Sequence, residues 1–184
     1  MPYMIDEMLE YNKRFVANKE YESYQTSKLP NKKLAVLSCM DSRLVRLLPA
    51  ALDFQNGDIK LIKNAGAIIN HPFGSAMRSL LICIYFLEVE EVAVIGHQDC
   101  GMRGFDPAVF KQKMENRGIP KERIEMIESL GINLDQWFKG FDNSTESILK
   151  TVSIIKSHPL LPADIEVRGF LMHLPTGAVE QITP

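Results

Sequence analysis

The sequence predicts an α/β domain, with a mostly parallel central β-sheet flanked by helices and a strand hairpin at the C-terminal end. Three observations predict it. Short apolar runs at 34–37 and 92–96 are bounded by polar and turn residues, as strands buried on both faces are. Between and after them lie stretches whose apolar residues recur at helical spacing. The polar residues suited to chemistry (Cys39, Asp41 and Arg43, then His97, Asp99 and Cys100) follow the two runs directly. Open parallel sheets place their ligands at that end of their strands.

Taken in order, residues 4–18 read as an amphipathic helix, with Met8, Tyr11 and Phe15 at intervals of three and four and Val16 extending the stripe. Residues 19–32 have no apolar period and read as a connector. A helix on so bland a link packs either on its own domain or on a partner subunit. The first strand follows, and residues 44–54 hold a short helix with Pro49 expected in its first turn, where a missing N–H costs little. Asn56-Gly57 marks a turn, and residues 58–63, DIKLIK, alternate as a second strand does. Asn64-Ala65-Gly66-Ala67 then makes a tight loop at the same end of the sheet as Cys39.

Residues 74–88 form a helix greasy enough through LLICIYFL to be buried on more than one side, with Cys83 as a core residue. The third strand covers 92–97. Helical pieces follow at 105–117, 119–130 and 134–138, and a longer helix capped by Asn143 or Ser144 runs to about Lys156. Strands at 165–171 and 178–182, joined by a Thr176-Gly177 turn, close the chain as a hairpin.

At 184 residues the chain suits a single domain, residues 1–184, with no linker or repeat to divide it. The net charge of -2 supplies no bulk attraction to nucleic acid. No basic block breaks that balance, and Lys60 with Lys63 reads as ordinary surface spacing. Asp6, Glu7 and Glu10 stand where a signal peptide needs a basic end, and the apolar stretch 80–87 is far too short to cross a bilayer. A cytoplasmic protein with no membrane partner is expected. Three cysteines cannot form a fully paired disulfide scaffold, which favours a reducing compartment with thiols kept for metal or core.

If the first and third strands are neighbours, Cys39, His97 and Cys100 can meet around one ion. Two thiolates and an imidazole suit zinc, and three protein ligands leave a fourth position for water. Each piece alone has a plainer reading. A cysteine at a strand end is commonly core, a single histidine commonly structural, and Asp41 with Arg43 a minor ion pair. Asp99 reads as a solvated loop carboxylate or, as the alternative, an acceptor supporting the ligands from behind; Gln98 reads as ordinary loop, and Arg103 as a residue that could pair across an interface. Only the combination at matching strand ends, with the glycine loop between, points to a metal centre.

Cys39-Met40-Asp41-Ser42-Arg43 and His97-Gln98-Asp99-Cys100-Gly101 resemble the two signature segments of the beta-class carbonic anhydrases, and Asn64-Ala65-Gly66 resembles the loop between them. The likeness spans about Lys33 to Gly104, and the length is that of the compact bacterial members. It implies a zinc enzyme, a carbonate dehydratase, that hydrates carbon dioxide to bicarbonate and a proton by zinc-bound hydroxide. The cofactor would be Zn2+, held by Cys39, His97 and Cys100, with Asp41 and Arg43 as a dyad beside it. In one state Asp41 accepts a hydrogen bond from the zinc water; in a closed state it ligates the metal itself. The resemblance also implies a homodimer or larger homo-oligomer, in which the N-terminal arm (about 4–30) packs on the partner subunit.

Elementary chemistry agrees with these roles. Zinc lowers the pKa of its water from about 15.7 toward 7. Two thiolates donate more charge than histidines, so the ion alone acidifies its water less. A guanidinium fork can fix a carboxylate through two bonds, which lysine cannot. A backbone N–H of Gly66 or Ala67 could steady a developing bicarbonate oxygen.

Ala67 departs from the second glycine that many members carry, which bears on rate and substrate size. Two rival functions remain: a carbon disulfide or carbonyl sulfide hydrolase on the same fold and zinc site, or a non-catalytic zinc protein. The first is said to need an occluding tail and this tail is short; the second gives little reason to keep Asp41 and Arg43. A nucleic-acid zinc module does not fit a Cys2His set inside a buried sheet. His71, His158 and His173 are candidate proton shuttles only as any histidine is, with His71 nearest in sequence to the loop.

Overall fold

The computed structural model describes residues 3–183. Five strands, β1 (Leu34–Cys39), β2 (Ile59–Asn64), β3 (Glu91–His97), β4 (Glu166–Met172) and β5 (Val179–Ile182), lie in the order β2-β1-β3-β4-β5. The first four are parallel, and β5 returns antiparallel beside β4 as the expected hairpin.

Side chains on a strand alternate between faces, and both faces of this sheet are covered, so β1 and β3 must be apolar throughout. Ala35, Leu37, Val92 and Val94 point to one side. There they meet α3 (Ser75–Phe86) through Met77 and Leu80, and α7 (Ser144–Lys156) through Ile148 and Ile155. Val36, Ala93 and Ile95 point the other way, onto Leu44 and Leu48 of α2 (Leu44–Ala51). Gly169 is required by this packing. A β-carbon there would lie 2.5 Å from Ile148 Cγ2, a stiff branch of a helical side chain. Asn143 caps α7, its Oδ1 accepting from the N–H groups of Thr145 and Glu146 at 2.8 and 3.2 Å.

The helix α2 starts earlier than its proline suggests. The Arg43 N–H donates to Asp41 Oδ1 at 2.9 Å and the Leu44 N–H to the Asp41 carbonyl at 3.1 Å, so the chain coils straight out of the Asp41 turn. Pro49 therefore lies in the last turn of α2, not the first. It cannot donate to the preceding turn, and the helix ends two residues later.

The stretch 19–32 also carries more order than a bare connector. Glu20–Tyr24 is a 3-10 turn, and the N–H groups of Asn31 and Lys32 bond to the carbonyls of Gly57 and Asp58, beside β2. Three helices, α4 (Pro107–Asn116), α5 (Lys121–Ser129) and α6 (Leu134–Trp137), fill the excursion between β3 and α7. The first helix, α1 (Met4–Ala17), stands apart: none of its residues is buried. No helix among the described residues is long and apolar enough to cross a membrane.

Candidate metal centre

β1 and β3 are neighbours in register, with Ser38 level with Ile95, so Cys39 and His97 emerge within one residue of the same level at the C-terminal edge. Past His97 the Gln98 N–H bonds to the Met172 carbonyl at 3.1 Å, and Asp99 takes a left-handed conformation (φ 56). That reversal brings Cys100 back beneath the strand ends.

The donor atoms of Cys39, His97 and Cys100 all lie within 4.8 Å of one another, and all three residues are buried. The two sulfurs are 3.7 Å apart. A tetrahedral zinc with bonds of about 2.3 Å to sulfur needs the sulfurs roughly 3.8 Å apart, so the pair fits. His97 Nδ1 lies 2.8 Å from the Gln98 carbonyl, which can only accept. Nδ1 therefore carries the proton, and Nε2 keeps its lone pair. That nitrogen is shut off from solvent, with no hydrogen-bond partner among the described residues. An orphaned acceptor facing two sulfurs is what a metal ligand looks like without its ion.

Charge at the site follows from the same geometry. Hydrogen bonding from Cys100 pushes the Cys39 thiol down to about 4 despite burial, with further bonds from the Asp41 and Gly66 N–H groups. Cys100 is pushed up, because it serves as donor to Cys39 and is itself buried. Two thiolates this close repel, so only a cation between them lets both ionise. Burial opposes a proton on His97, but the Cys39 sulfur, the Gln98 carbonyl and the Asp41 carboxylate outweigh it and raise its pKa.

Arg43 grips Asp41 with both arms, Nε to Oδ1 at 3.0 Å and Nη2 to Oδ2 at 2.8 Å. Its hydrogen bonds hold the Asp41 carboxyl at about 2, against some burial. Asp41 Oδ2 lies 3.8 Å from His97 Nε2, at the rim of the donor triangle. Arg43 also reaches across to the Asp99 carboxylate and carbonyl, both at 3.1 Å. The Asp99 side chain is 88% exposed, so it is a solvated loop carboxylate and an anchor for Arg43 at once.

Asn64 ties down the loop beside the site. Its side chain donates to the Ile68 carbonyl at 2.7 Å and accepts from the Ile68 N–H at 3.1 Å. Inside this clasp Gly66 has φ 83, and a β-carbon there would meet Ile68 Cδ1 at 2.8 Å and Met102 Cβ at 3.2 Å, so only glycine fits. Ala67 follows at φ 56 and is buried. The Gly66 N–H is directed at the Cys39 sulfur.

The remaining candidates are dispersed. Arg103 bonds within its own chain, Nε to the Asp142 carbonyl at 3.1 Å, and Gln98 is exposed. His71 Nδ1 accepts from the Phe73 N–H and His158 Nδ1 from the Leu160 N–H, while His173 lies 4.0 Å from Glu180. Cys83 is on the buried face of α3, in the core.

Lys63 is not a surface lysine. Its Nζ is buried without a hydrogen-bond partner among the described residues. The signal was present in the strand's alternation. Lys60 and Lys63 are three apart, hence on opposite faces, so a strand beside β1 cannot turn both toward the same solvent. The roles of Asn64 and Asp99 left no such trace, since both depend on chain reversals.

The carbonic anhydrase family model matches residues 34–179. The candidate carbonic anhydrase YtiB of Bacillus subtilis (strain 168) is 50% identical over 179 residues, covering 97% of this chain and 96% of that one. A carbon disulfide hydrolase of Acidianus sp. (strain A1-3) is 29% identical over 158 residues, covering 79% and 75%. The crystal structure of a beta-carbonic anhydrase from Trichomonas vaginalis superposes with a TM-score of 0.88 at 30% identity, covering 98% of each chain.

Removing the grip of Arg43 should release the Asp41 carboxyl. In Arg43→Ala the Asp41 pKa is expected to rise from about 2 toward the ordinary carboxylate range, followed by carboxyl carbon NMR on the metal-free protein. An Asp41 titration unchanged in the variant would mean that another group holds the charge.

Proposed function

The chain belongs to the beta-class carbonic anhydrases, and we propose that it uses one zinc ion at Cys39, His97 and Cys100 to hydrate carbon dioxide reversibly to bicarbonate and a proton. The observation that carries this reading is the convergence of the three donors with an unpartnered His97 Nε2, rimmed by a clamped Asp41. Zinc supplies acidity, bringing the ionisation of a water into the neutral range.

The side chains divide the rest of the work. Asp41, with a pKa of about 2, is ionised across the working range and is too weak a base to take a proton. It acts as an acceptor, holding the remaining hydrogen of the nucleophile at Oδ2 and so aiming its lone pair. Arg43 fixes that direction. Because Arg43 engages both Asp41 oxygens, the carboxylate would be kept from binding a zinc ion held by Cys39, His97 and Cys100, and would be left to accept a hydrogen bond from water. The Gly66 N–H is committed to the Cys39 sulfur, which leaves the Ala67 N–H as the donor for charge growing on bicarbonate.

Carbon disulfide hydrolysis is the second reading, favoured by the Acidianus relative. The greater identity and coverage of YtiB support carbon dioxide. Stopped-flow hydration of carbon dioxide, beside hydrogen sulfide release from carbon disulfide, tests the choice. Native protein should bind about one zinc per chain and hydrate carbon dioxide. Cys39→Ser should lose both properties, and Asp41→Asn should keep zinc while losing about 10- to 100-fold in rate. Zinc-loaded protein that releases sulfide and leaves carbon dioxide untouched would replace the first reading by the second.

We further propose a homodimer or larger homo-oligomer in a reducing cytoplasm. Sulfurs 3.7 Å apart would be at risk of joining as a disulfide in an oxidising compartment. Met4, Ile5, Met8, Leu9 and Tyr11 on α1 are each more than half exposed, as are Phe73, Tyr85 and Phe86 at and before α3. Such apolar area on two elements of one chain suits an arm laid across a second copy. Light scattering should give a dimer or multiple of it for native protein and a smaller species for Met8→Glu/Leu9→Glu; an unchanged mass would remove the arm from the interface.

A further inference from the structure

The strand β2 sends Ile62 into the core under α3 and α7, and by alternation turns Lys63 toward the opposite face, which holds Cys39 and Cys100. Lys63 pairs with Ser38, the residue before the ligand Cys39. Neither Lys63 Nζ nor Ser38 Oγ reaches solvent, and neither has a hydrogen-bond partner among the described residues. A buried ammonium without an acceptor destabilises a fold, and an apolar side chain of similar length would avoid that cost. A feature that costs stability beside a reactive centre calls for a function.

The electrostatics of the site supply one. Two thiolates cancel the charge of a zinc ion and weaken its pull on water. Arg43 cannot restore it, since it is already shared between the carboxylates of Asp41 and Asp99. Burial lowers the Lys63 pKa from its ordinary value, and the negative charges of Cys39 and Asp41 work against that loss of charge. Arg43 and His97 belong to the same charged group through their contacts with Asp41.

We propose that Lys63 is a positioning residue of the metal centre, a buried cation that offsets the thiolate ligands and so makes the bound metal a stronger acid toward its water. The inference rests on the zinc reading above. It deepens that reading by assigning the tuning of the centre to a residue that touches neither metal nor substrate.

The test compares native protein with Lys63→Met and Lys63→Arg in three measurements: melting of the metal-free form, zinc affinity against a chromophoric chelator, and the visible spectrum of the cobalt-substituted form across pH. Lys63→Met should melt no lower than native, bind zinc about tenfold more weakly, and shift the spectral midpoint up by about one pH unit. Lys63→Arg should restore affinity and midpoint. An affinity and midpoint equal to native in Lys63→Met would overturn the proposal. So would a lower melting point with an unmoved midpoint, which describes a structural lysine, or a native protein that binds no zinc. Native protein that binds zinc yet hydrates nothing would remove the enzyme reading alone, because affinity and spectrum still decide the part played by Lys63.

Discussion

Two sulfurs and an imidazole nitrogen share one buried point at the C-terminal edge of the sheet, and this crowding is the constraint on which the rest of the site depends. Left to themselves the two cysteines cannot both ionise, and one thiol stays protonated against the sulfur of the other. The His97 ring, locked by its bond to the Gln98 carbonyl, offers a lone pair with no hydrogen-bond partner among the described residues. A divalent cation resolves all three conditions together. The parallel pairing of β1 with β3 makes the meeting possible, since it sets Cys39 beside His97 without any loop to adjust.

Around that point the fold distributes charge with unequal exposure. The Asp41–Arg43–Asp99 chain lies toward solvent and leans negative, with two carboxylates on one guanidinium. The Lys63 ammonium, by contrast, is buried on the strand beside β1. The Asn64 clasp holds the third wall, and Gly66 is what lets that wall approach Cys39 and Met102 so closely.

Much of this was legible in the chain itself, for a physical reason. A sheet covered on both faces needs continuous apolar strands, so β1 and β3 could be read within two residues of their ends, and Cys39 and His97, which close those strands, could be picked out as residues that meet there. Pro49 misled because the start of α2 is set by Asp41, whose carbonyl and side chain take the first N–H groups. Lys63 misled because its charge suggested surface, although strand alternation put it and Lys60 on opposite faces. The grip of Asp99 on Arg43 spans 56 residues and a left-handed turn, and no local pattern announces it. The apolar stripe of α1 was visible in the sequence, and among the described residues none of the helix is buried.

Zinc-edge X-ray absorption on protein carrying one zinc per chain tests the central claim most directly. The account predicts two sulfurs at about 2.3 Å and two lighter neighbours, nitrogen or oxygen, at about 2.0–2.2 Å. A shell with fewer than two sulfurs would place the ion away from Cys39 and Cys100, and would contradict the metal centre on which the proposed chemistry stands.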